Sequence, residues 1–315
     1  MDNFIFSLYA TLPVFCVILL GWLFRKWNIV NEKFATDLNK LTFNVLFALL
    51  LFRDIAQSDL RQQFNPKFMA FCLLVTVGCF AGIWIIAELT IKEPSEIGTF
   101  VMCSFRGSAA VLGVAFVENI YGNSGMVPLM IICSVPLYNI FSVILLTFRG
   151  KVPIDKGRDG IKKAIRNVLT NPLIIGIVAG IPFAVFHVQF PVLIEKPLNT
   201  LCSMATPLAL LMVGAGFETK EAMGKMKLSA ISSLIKLVIQ PVIFMPLAIL
   251  MGFRGSELIA ILIMVGAPTT VSCYIMSMAM NGDETLSSSV VVLTTLFSAI
   301  TITGAIFILK SCALI

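Results

Sequence analysis

Ten apolar stretches of roughly 20 residues each run through almost the whole chain. They lie at 4–24, 34–52, 67–89, 97–120, 126–148, 171–188, 197–217, 228–251, 256–280 and 285–309. A helix needs an apolar stretch of this length to cross a bilayer, and the connections are too short for a separate soluble domain. Only 13% of the residues are charged, against about 25% in soluble domains. The sequence therefore predicts an all-α, multi-pass membrane protein with ten transmembrane helices.

Lysine and arginine are distributed unevenly between the two sets of connections. With the N-terminus outside, most of them fall in the cytoplasmic connections, above all between Arg149 and Arg166. The positive-inside rule therefore predicts both termini outside, in the cytoplasmic (plasma) membrane. No small-residue cleavage site follows the first stretch, so we expect it to remain as a span. The net charge of +6 then reflects topology and contact with membrane lipids, and nucleic acid is not an expected partner.

A basic segment at 151–170 divides the chain into a first half, 1–150, and a second half, 171–315. Each half holds five predicted spans, so the second half starts from the opposite side of the membrane. Two halves with one fold would then form an inverted repeat, a common plan of secondary transporters. We interpret the segment as a solvated cytoplasmic linker, with a basic interfacial helix at GIKKAIRNVLT as the alternative.

The fourth predicted span of each half carries helix-breaking and polar residues near its centre. These residues are Arg106, Gly107 and Ser108 in the fourth span and Gly266, Pro268, Thr269, Thr270 and Ser272 in the ninth. Proline removes a backbone donor, and glycine tolerates irregular backbone. Such backbone is tolerated in a membrane only beside protein or water. Paired breaks in the two halves therefore indicate a binding site at the midplane of the membrane. The N–H groups at the half-helix ends around such a site favour anions. The alternative is an ordinary kink in one span and close helix packing in the other.

Two basic residues lie well inside predicted spans, where a charge is costly. They are Arg106 in the fourth span and Lys236 in the eighth, and no aspartate or glutamate lies near the centre of a span to pair with them. We assign both to an anionic substrate. The alternatives are a structural role for Arg106 and a Lys236 side chain that extends to the interface. The missing carboxylates favour uniport or exchange, while sodium held by carbonyls and hydroxyls remains the alternative.

Five motifs resemble the auxin efflux carrier family, which includes the plant PIN carriers and malate permease-type transporters. They are LNKLTFNVLFALLLF (38–52), NPLIIGIVAGIP (171–182), TPLALLMVGAGF (206–217), IKLVIQPVI (235–243) and GAPTTVSCYIMSMAMNGD (266–283). The resemblance covers the whole chain. It implies two inverted five-helix repeats whose broken fourth and ninth helices cross, with a transport domain that moves like an elevator against a scaffold domain. It also implies organic anion substrates, including dicarboxylates and auxin.

The chain departs from the family pattern where the substrate is expected to bind. Arg106 replaces an asparagine, and Val114-Ala115 replaces an isoleucine-proline pair. Ser272 occupies a position often held by asparagine, and Ala48 replaces a common proline of the second helix. Such changes indicate tighter binding of an anion or a different anion. Asn44, in the first motif, completes the candidate substrate-binding residues.

The sequence predicts a secondary transporter that moves a small organic anion, a carboxylate, across the membrane by alternating access. It has no H-E-x-x-H, no paired intramembrane aspartates and no G-x-S-x-G, so we expect no enzymatic activity. We expect no cofactor or metal site, because the eight cysteines lie in or beside apolar stretches as small hydrophobic residues do. A transporter-like sensor or accessory subunit that binds an anion without transporting it is the alternative. A second copy of the chain is a candidate partner, as a homodimer.

Overall fold

The structure is a computed structural model that describes residues 2–57, 65–109, 117, 120–121, 125–151, 158–186, 188, 190–217 and 219–315. All regular elements in these ranges are helices. Those before the linker are α1 (Asp2–Lys26), α2 (Glu32–Leu41), α3 (Phe47–Ala56), α4 (Pro66–Thr90), α5 (Pro94–Phe105) and α6 (Val127–Phe148). The linker contributes α7 (Arg158–Leu169). The others are α8 (Pro172–Val185), α9 (Val192–Ala215), α10 (Thr219–Leu234), α11 (Gln240–Leu250), α12 (Ser256–Gly266), α13 (Ser272–Ala279) and α14 (Glu284–Ser311).

Six helical segments in the described part of the chain are long and apolar enough to cross a membrane. They are Glu32–Ala56, Pro66–Thr90, Val127–Phe148, Val192–Ala215, Glu221–Leu250 and Glu284–Ser311. A seventh is added if Lys162–Leu169 and Pro172–Val185, bent by 55° at their junction, form one span. The protein is thus a helical membrane protein, and six or seven of the ten predicted spans are full-length apolar helices in the part of the chain that the structure describes. The difference arises partly because the predicted spans at 97–120 and 256–280 do not continue as single helices.

Asparagine and aspartate side chains fix the starts of several helices. Asn65 accepts a hydrogen bond from the Phe68 backbone N–H at 3.1 Å ahead of α4, and Asp283 accepts one from Leu286 at 2.8 Å ahead of α14. Asn171 caps α8 in the same way. Each bond satisfies a backbone donor that the first helical turn leaves free. The caps therefore determine where α4, α8 and α14 begin.

Short π-helical turns interrupt two of the spans. Thr42–Leu46 joins α2 to α3, and Ile235–Ile239 joins α10 to α11. Such turns often occur at functional sites. The second turn contains Lys236, whose side chain is completely buried. It therefore places a cationic side chain on the inner face of an otherwise apolar span.

Helices α5 and α12 form the centre of the molecule. All residues of Ile97–Phe105 and Leu258–Gly266 are buried. Helices α6 and α14 pack against both of them, with α4 and α10 against α5 and α11 against α12. On the outer faces, large apolar side chains such as Leu74, Leu89 and Leu250 are exposed, as a surface in contact with lipid requires. Helices α5 and α12 are therefore surrounded by protein and do not face lipid.

A second set of helices packs in two close pairs, α1 with α9 and α3 with α8. Gly21 and Gly214 lie between α1 and α9, and Gly176 and Gly180 lie between α8 and α3. A Cβ at Gly214 would be 1.8 Å from the Ile18 carbonyl oxygen. Because glycine has no side chain, these helix backbones can approach so closely.

Ion pairs join the helices around α5 at one end. Lys225 of α10 pairs with Glu96 at the start of α5 and with Asp283 ahead of α14, the latter at 3.0 Å. Arg149, which follows α6, pairs with Glu88 near the end of α4. All five residues lie at the end that the charge distribution predicts to face the cytoplasm. The pairs therefore link α10 with α5 and α14, and α6 with α4, and the packing of α5 against α4 and α6 completes one group of five helices.

Candidate functional site

Two interrupted helices meet at the centre of the molecule. α5 stops one residue before Arg106, where the backbone becomes extended. α12 ends at Gly266, and residues 267–271 separate it from α13. The Ser108 backbone N–H donates a hydrogen bond of 2.8 Å to the Pro268 carbonyl oxygen. The two breaks therefore lie directly against each other.

Side chains of other elements satisfy the carbonyl groups that the first break leaves free. Thr269 Oγ1 donates to the Cys103 carbonyl oxygen at 2.7 Å, and Gln240 Nε2 donates to the Ser104 carbonyl oxygen at 2.6 Å. The Thr269 backbone N–H in turn donates to Thr294 Oγ1 at 3.1 Å. An unpaired backbone group in a membrane costs several kcal/mol, so these bonds stabilise the irregular backbone.

Lys236 performs the same role at the end of α12. Its Nζ lies 3.0 Å from the carbonyl oxygens of both Met264 and Val265, and 3.3 Å from Gln240 Oε1. Gly107 leaves the space for it, because a Cβ there would be 2.9 Å from Lys236 Cε. The side chain thus points into the protein and does not extend to the membrane interface.

Arg106 extends from the first break towards α6 and α13. Nη1 lies 3.0 Å from both Ser142 Oγ and Met276 Sδ, while Nη2 lies 2.8 Å from Ser272 Oγ and 3.3 Å from Asn139 Oδ1. Arg106 is 4% exposed, and its Nε has no hydrogen-bond partner among the described residues. Within the same residues no carboxylate forms an ion pair with it. Arg106 is therefore a buried cation with neutral partners and a spare donor.

A cavity of about 760 Å³ opens beside the two breaks. Its volume falls within the range of about 300–1,000 Å³ that is usual for small-molecule sites. The breaks contribute Arg106, Gly107, Ser108, Ala109, Thr270, Val271 and Ser272. Helices α3 and α6 contribute mainly apolar side chains together with Arg53, Asp54 and Asn139, and α9 contributes Asn199, Cys202, Ser203 and Thr206. The cavity therefore has a largely apolar wall along α3 and α6 and polar surfaces at the breaks and along α9.

Three charged side chains line this cavity within the described part of the chain: Arg53, Asp54 and Arg106. Arg53 donates to Asp54 Oδ1 through Nε at 3.1 Å and through Nη2 at 2.7 Å, so their charges cancel. Arg106 then gives the lining one net positive charge. Ser272, the first residue of α13, also lines the cavity, and the N–H groups at a helix start add positive potential. The site can therefore hold an anion.

The predicted site residues occupy three different places. Those on the cavity wall are Arg106, Gly107, Ser108, Thr270 and Ser272. Those in or beside the crossing and away from the wall are Gly266, Pro268, Thr269 and Lys236. Asn44 is exposed in the first π-helical turn and does not line the cavity. Val114-Ala115 lies outside the described residues.

The sequence prediction missed three residues of α6 and three of α9. Tyr138 and Asn139 line the cavity, and Ser142 holds Arg106. Their signal in the sequence is polarity inside an apolar span, which usually marks a side chain that faces the bundle interior. Along α9, Asn199, Ser203 and Thr206 also line the cavity, as their helical spacing permits.

Comparisons with known proteins concern nearly the whole chain. The sequence profile of a family described as membrane transport protein matches residues 6–306. The chain is similar to an uncharacterized transporter of Methanocaldococcus jannaschii, with 24% identity over 300 residues that cover 93% of this chain and 96% of that protein. It is also similar to an uncharacterized transporter of Methanothermobacter thermautotrophicus, with 19% identity over 309 residues, or 95% and 97% of the two chains.

Proposed function

Because the chain belongs to the membrane transport protein family, as its resemblance to the auxin efflux carriers predicted, we propose that it is a secondary transporter of a small organic anion. The observation that carries the proposal is Arg106, a buried cation on a cavity wall with only neutral partners. A buried guanidinium is stabilised by an anion, and a carboxylate matches its paired donors. Membership of a transporter family also favours a role other than catalysis.

The lining favours a substrate with one carboxylate and an apolar body. Since Asp54 neutralises Arg53, the described lining has a single uncompensated positive charge at Arg106. A second carboxylate would have no cation opposite it. The apolar side chains of α3 and α6, such as Leu50 and Val135, offer a surface for the rest of the molecule. We therefore propose a monocarboxylate as the preferred substrate.

Substrate movement is proposed to occur by displacement of one helix group against the other. The group joined by ion pairs around α5 would carry the site, and α1, α3, α8 and α9 would form the scaffold. The two close pairs of the scaffold, α1 with α9 and α3 with α8, are equivalent under an inverted repeat. Each joins the first predicted span of one half to the second span of the other. This correspondence supports two inverted five-helix repeats and an elevator-type mechanism.

The cavity suggests which side is open. It is lined by Arg53, Gln57 and Asn199, which lie towards the helix ends predicted to face outside. Towards the predicted cytoplasmic side, Gly216 at the end of α9 lies against the Tyr274 hydroxyl, since a Cβ on Gly216 would be 1.8 Å from it. We propose an outward-open state that is closed on the inside by this contact. The orientation, with both termini outside the cytoplasmic membrane, is part of the same proposal.

The experiment is a thermal-shift screen of the purified protein with matched mono- and dicarboxylates, such as propionate against malonate. A ligand that binds only the folded state raises the unfolding midpoint. We expect monocarboxylates to raise it at lower concentration than dicarboxylates of similar length. Stabilisation by no carboxylate, or by neutral amides of the same acids to the same extent, would contradict the proposal.

A further inference from the structure

The proposed site leaves one buried cation without a function. Lys236 is completely buried and does not line the cavity. In the described part of the chain no carboxylate forms an ion pair with it. A lysine in this environment loses its hydration, so its surroundings must replace the water it has lost.

Three oxygen atoms replace that water. The carbonyl oxygens of Met264 and Val265 and the Gln240 side-chain oxygen lie within 3.0–3.3 Å of Nζ. An ammonium group has three N–H donors, which matches the number of acceptors. The two carbonyls belong to the last turn of α12, where the helix dipole is equivalent to about half a negative charge. The geometry therefore suits a cation and not a neutral amine, which has one N–H fewer.

The same arrangement would suit a free monovalent cation. Backbone carbonyls and amide oxygens are ligands of hard cations, and the C-terminal ends of broken helices hold such ions in transporters. We propose that the Lys236 ammonium is a built-in cation at a site that an ion such as Na⁺ would otherwise occupy. The crossing is then stabilised without a dissociable ion, and substrate movement requires none. The claim that substrate movement requires no such ion rests on the proposed function, whereas the assignment of the Lys236 ammonium to a cation site does not.

Two neighbours connect this site to the first break. Gln240 accepts from Lys236 and donates to the Ser104 carbonyl oxygen at the end of α5. Gly107 lies against the lysine stem, and Ser108 is hydrogen-bonded to Pro268. The Met264 carbonyl oxygen also accepts a hydrogen bond of 3.2 Å from the Tyr138 hydroxyl, so loss of the ammonium would remove the side-chain donor of Val265 and one of two side-chain donors of Met264 where the two breaks cross.

The test compares unfolding midpoints of the wild-type protein, Lys236→Ala and Lys227→Ala in chloride salts of choline, sodium and n-propylammonium at equal ionic strength. Propylammonium replaces the atoms that Lys236→Ala removes, whereas choline is too large for the space. Lys227 is exposed in the middle of α10 and serves as the matched control. We expect Lys236→Ala to unfold at a lower temperature in choline and to regain about 2–4 °C in sodium or propylammonium. The unfolding midpoints of the wild-type protein and Lys227→Ala should be the same in the three salts.

A Lys236→Ala protein that responds to the salts no more than Lys227→Ala would overturn the proposal. If neither Lys236→Ala nor Lys236→Met can be purified, the proposal is tested by carboxylate uptake into liposomes that contain the wild-type protein. Equal uptake in sodium and choline supports the built-in cation, and a loss of more than about tenfold in choline contradicts it. If the wild-type protein transports no carboxylate, the proposed function fails, while the unfolding midpoints still test the cation site.

Discussion

The Ser108 backbone N–H and the Pro268 carbonyl oxygen lie 2.8 Å apart and join the two broken helices directly. Arg106 precedes the first residue by two positions, and Ser272 follows the second by four. The contact therefore helps to hold the Arg106 guanidinium 2.8 Å from Ser272 Oγ at the cavity wall. The location of the proposed anion site follows from this crossing.

Replacement of Arg106 by glutamine should weaken carboxylate binding by roughly 10- to 100-fold. Hydrogen bonds to charged groups contribute about 1.5–3 kcal/mol, and the variant loses the charge and the forked geometry. Arg106→Lys keeps the charge but not the forked geometry, so its carboxylate affinity should fall less than that of Arg106→Gln. Titration calorimetry with the best ligand from the thermal-shift screen measures both.

The pair Arg53→Gln with Asp54→Asn supplies a contrast on the same cavity wall. The double variant removes a positive and a negative charge together, so the net charge of the lining is unchanged. We expect its affinity to fall less than that of Arg106→Gln. An equal or larger fall would indicate that the Arg53–Asp54 pair contributes at least as much to anion binding as Arg106 does, which would contradict the assignment of the site to Arg106 alone.

Gly107→Ala should destabilise the protein. The new methyl carbon would lie 2.9 Å from Lys236 Cε and 3.0 Å from the Ala267 carbonyl oxygen, and overpacking of this kind costs about 1–3 kcal/mol. The matched control is Gly82→Ala in α4, where a Cβ meets nothing within 4 Å and alanine favours the helix. Thermal unfolding should show a lower midpoint for the first variant and an unchanged or higher one for the second.

Lys225→Met should also lower the unfolding midpoint. Glu96 and Asp283 share this lysine, and its removal leaves two carboxylates close together without a cation. Lys227 lies two residues along the same helix and is exposed. Lys227→Met should change the free energy of unfolding by no more than about 0.5 kcal/mol. Equal effects of the two substitutions would mean that the ion pairs do not stabilise the group of helices around α5.

The predicted orientation can be tested with a native cysteine. Cys312 is exposed and free after α14, at the end predicted to face outside. A membrane-impermeant maleimide should label it in intact cells, and Cys312→Ser should abolish that labelling. In the Cys312→Ser background, Lys227→Cys should react only after the cells are permeabilised. The reverse pattern would place both termini in the cytoplasm.

Hydrophobicity and local helix breakers allowed much of the fold to be predicted. The long helices coincide with apolar stretches, and the ninth predicted span breaks between Gly266 and Ser272, where proline and glycine lie. The π-helical turns could not be predicted, because they depend on packing and not on local propensity. In the described ranges six of the ten predicted spans are single full-length helices, partly because a stretch with enough apolar residues need not form one continuous helix.

The site was predictable only in part, for a similar reason. A basic residue such as Arg106 inside an apolar span indicates a buried cation from the sequence alone. Its partners Asn139 and Ser142 lie on a different helix and required the tertiary structure. The sequence assigned Lys236 to the substrate. Its bonds to Met264 and Val265 join residues almost 30 positions apart, so the sequence alone could not show them.

The most direct test of the account is uptake of a radiolabelled monocarboxylate into liposomes that contain either wild-type protein or Arg106→Gln. Only preparations with the same unfolding midpoint would be compared, so that a difference in uptake is not a difference in folding. We predict saturable uptake by the wild-type protein and none above protein-free liposomes by the variant. Equal uptake by the two proteins, or binding by the wild-type protein without any flux, would contradict transport of an anion through the Arg106 site.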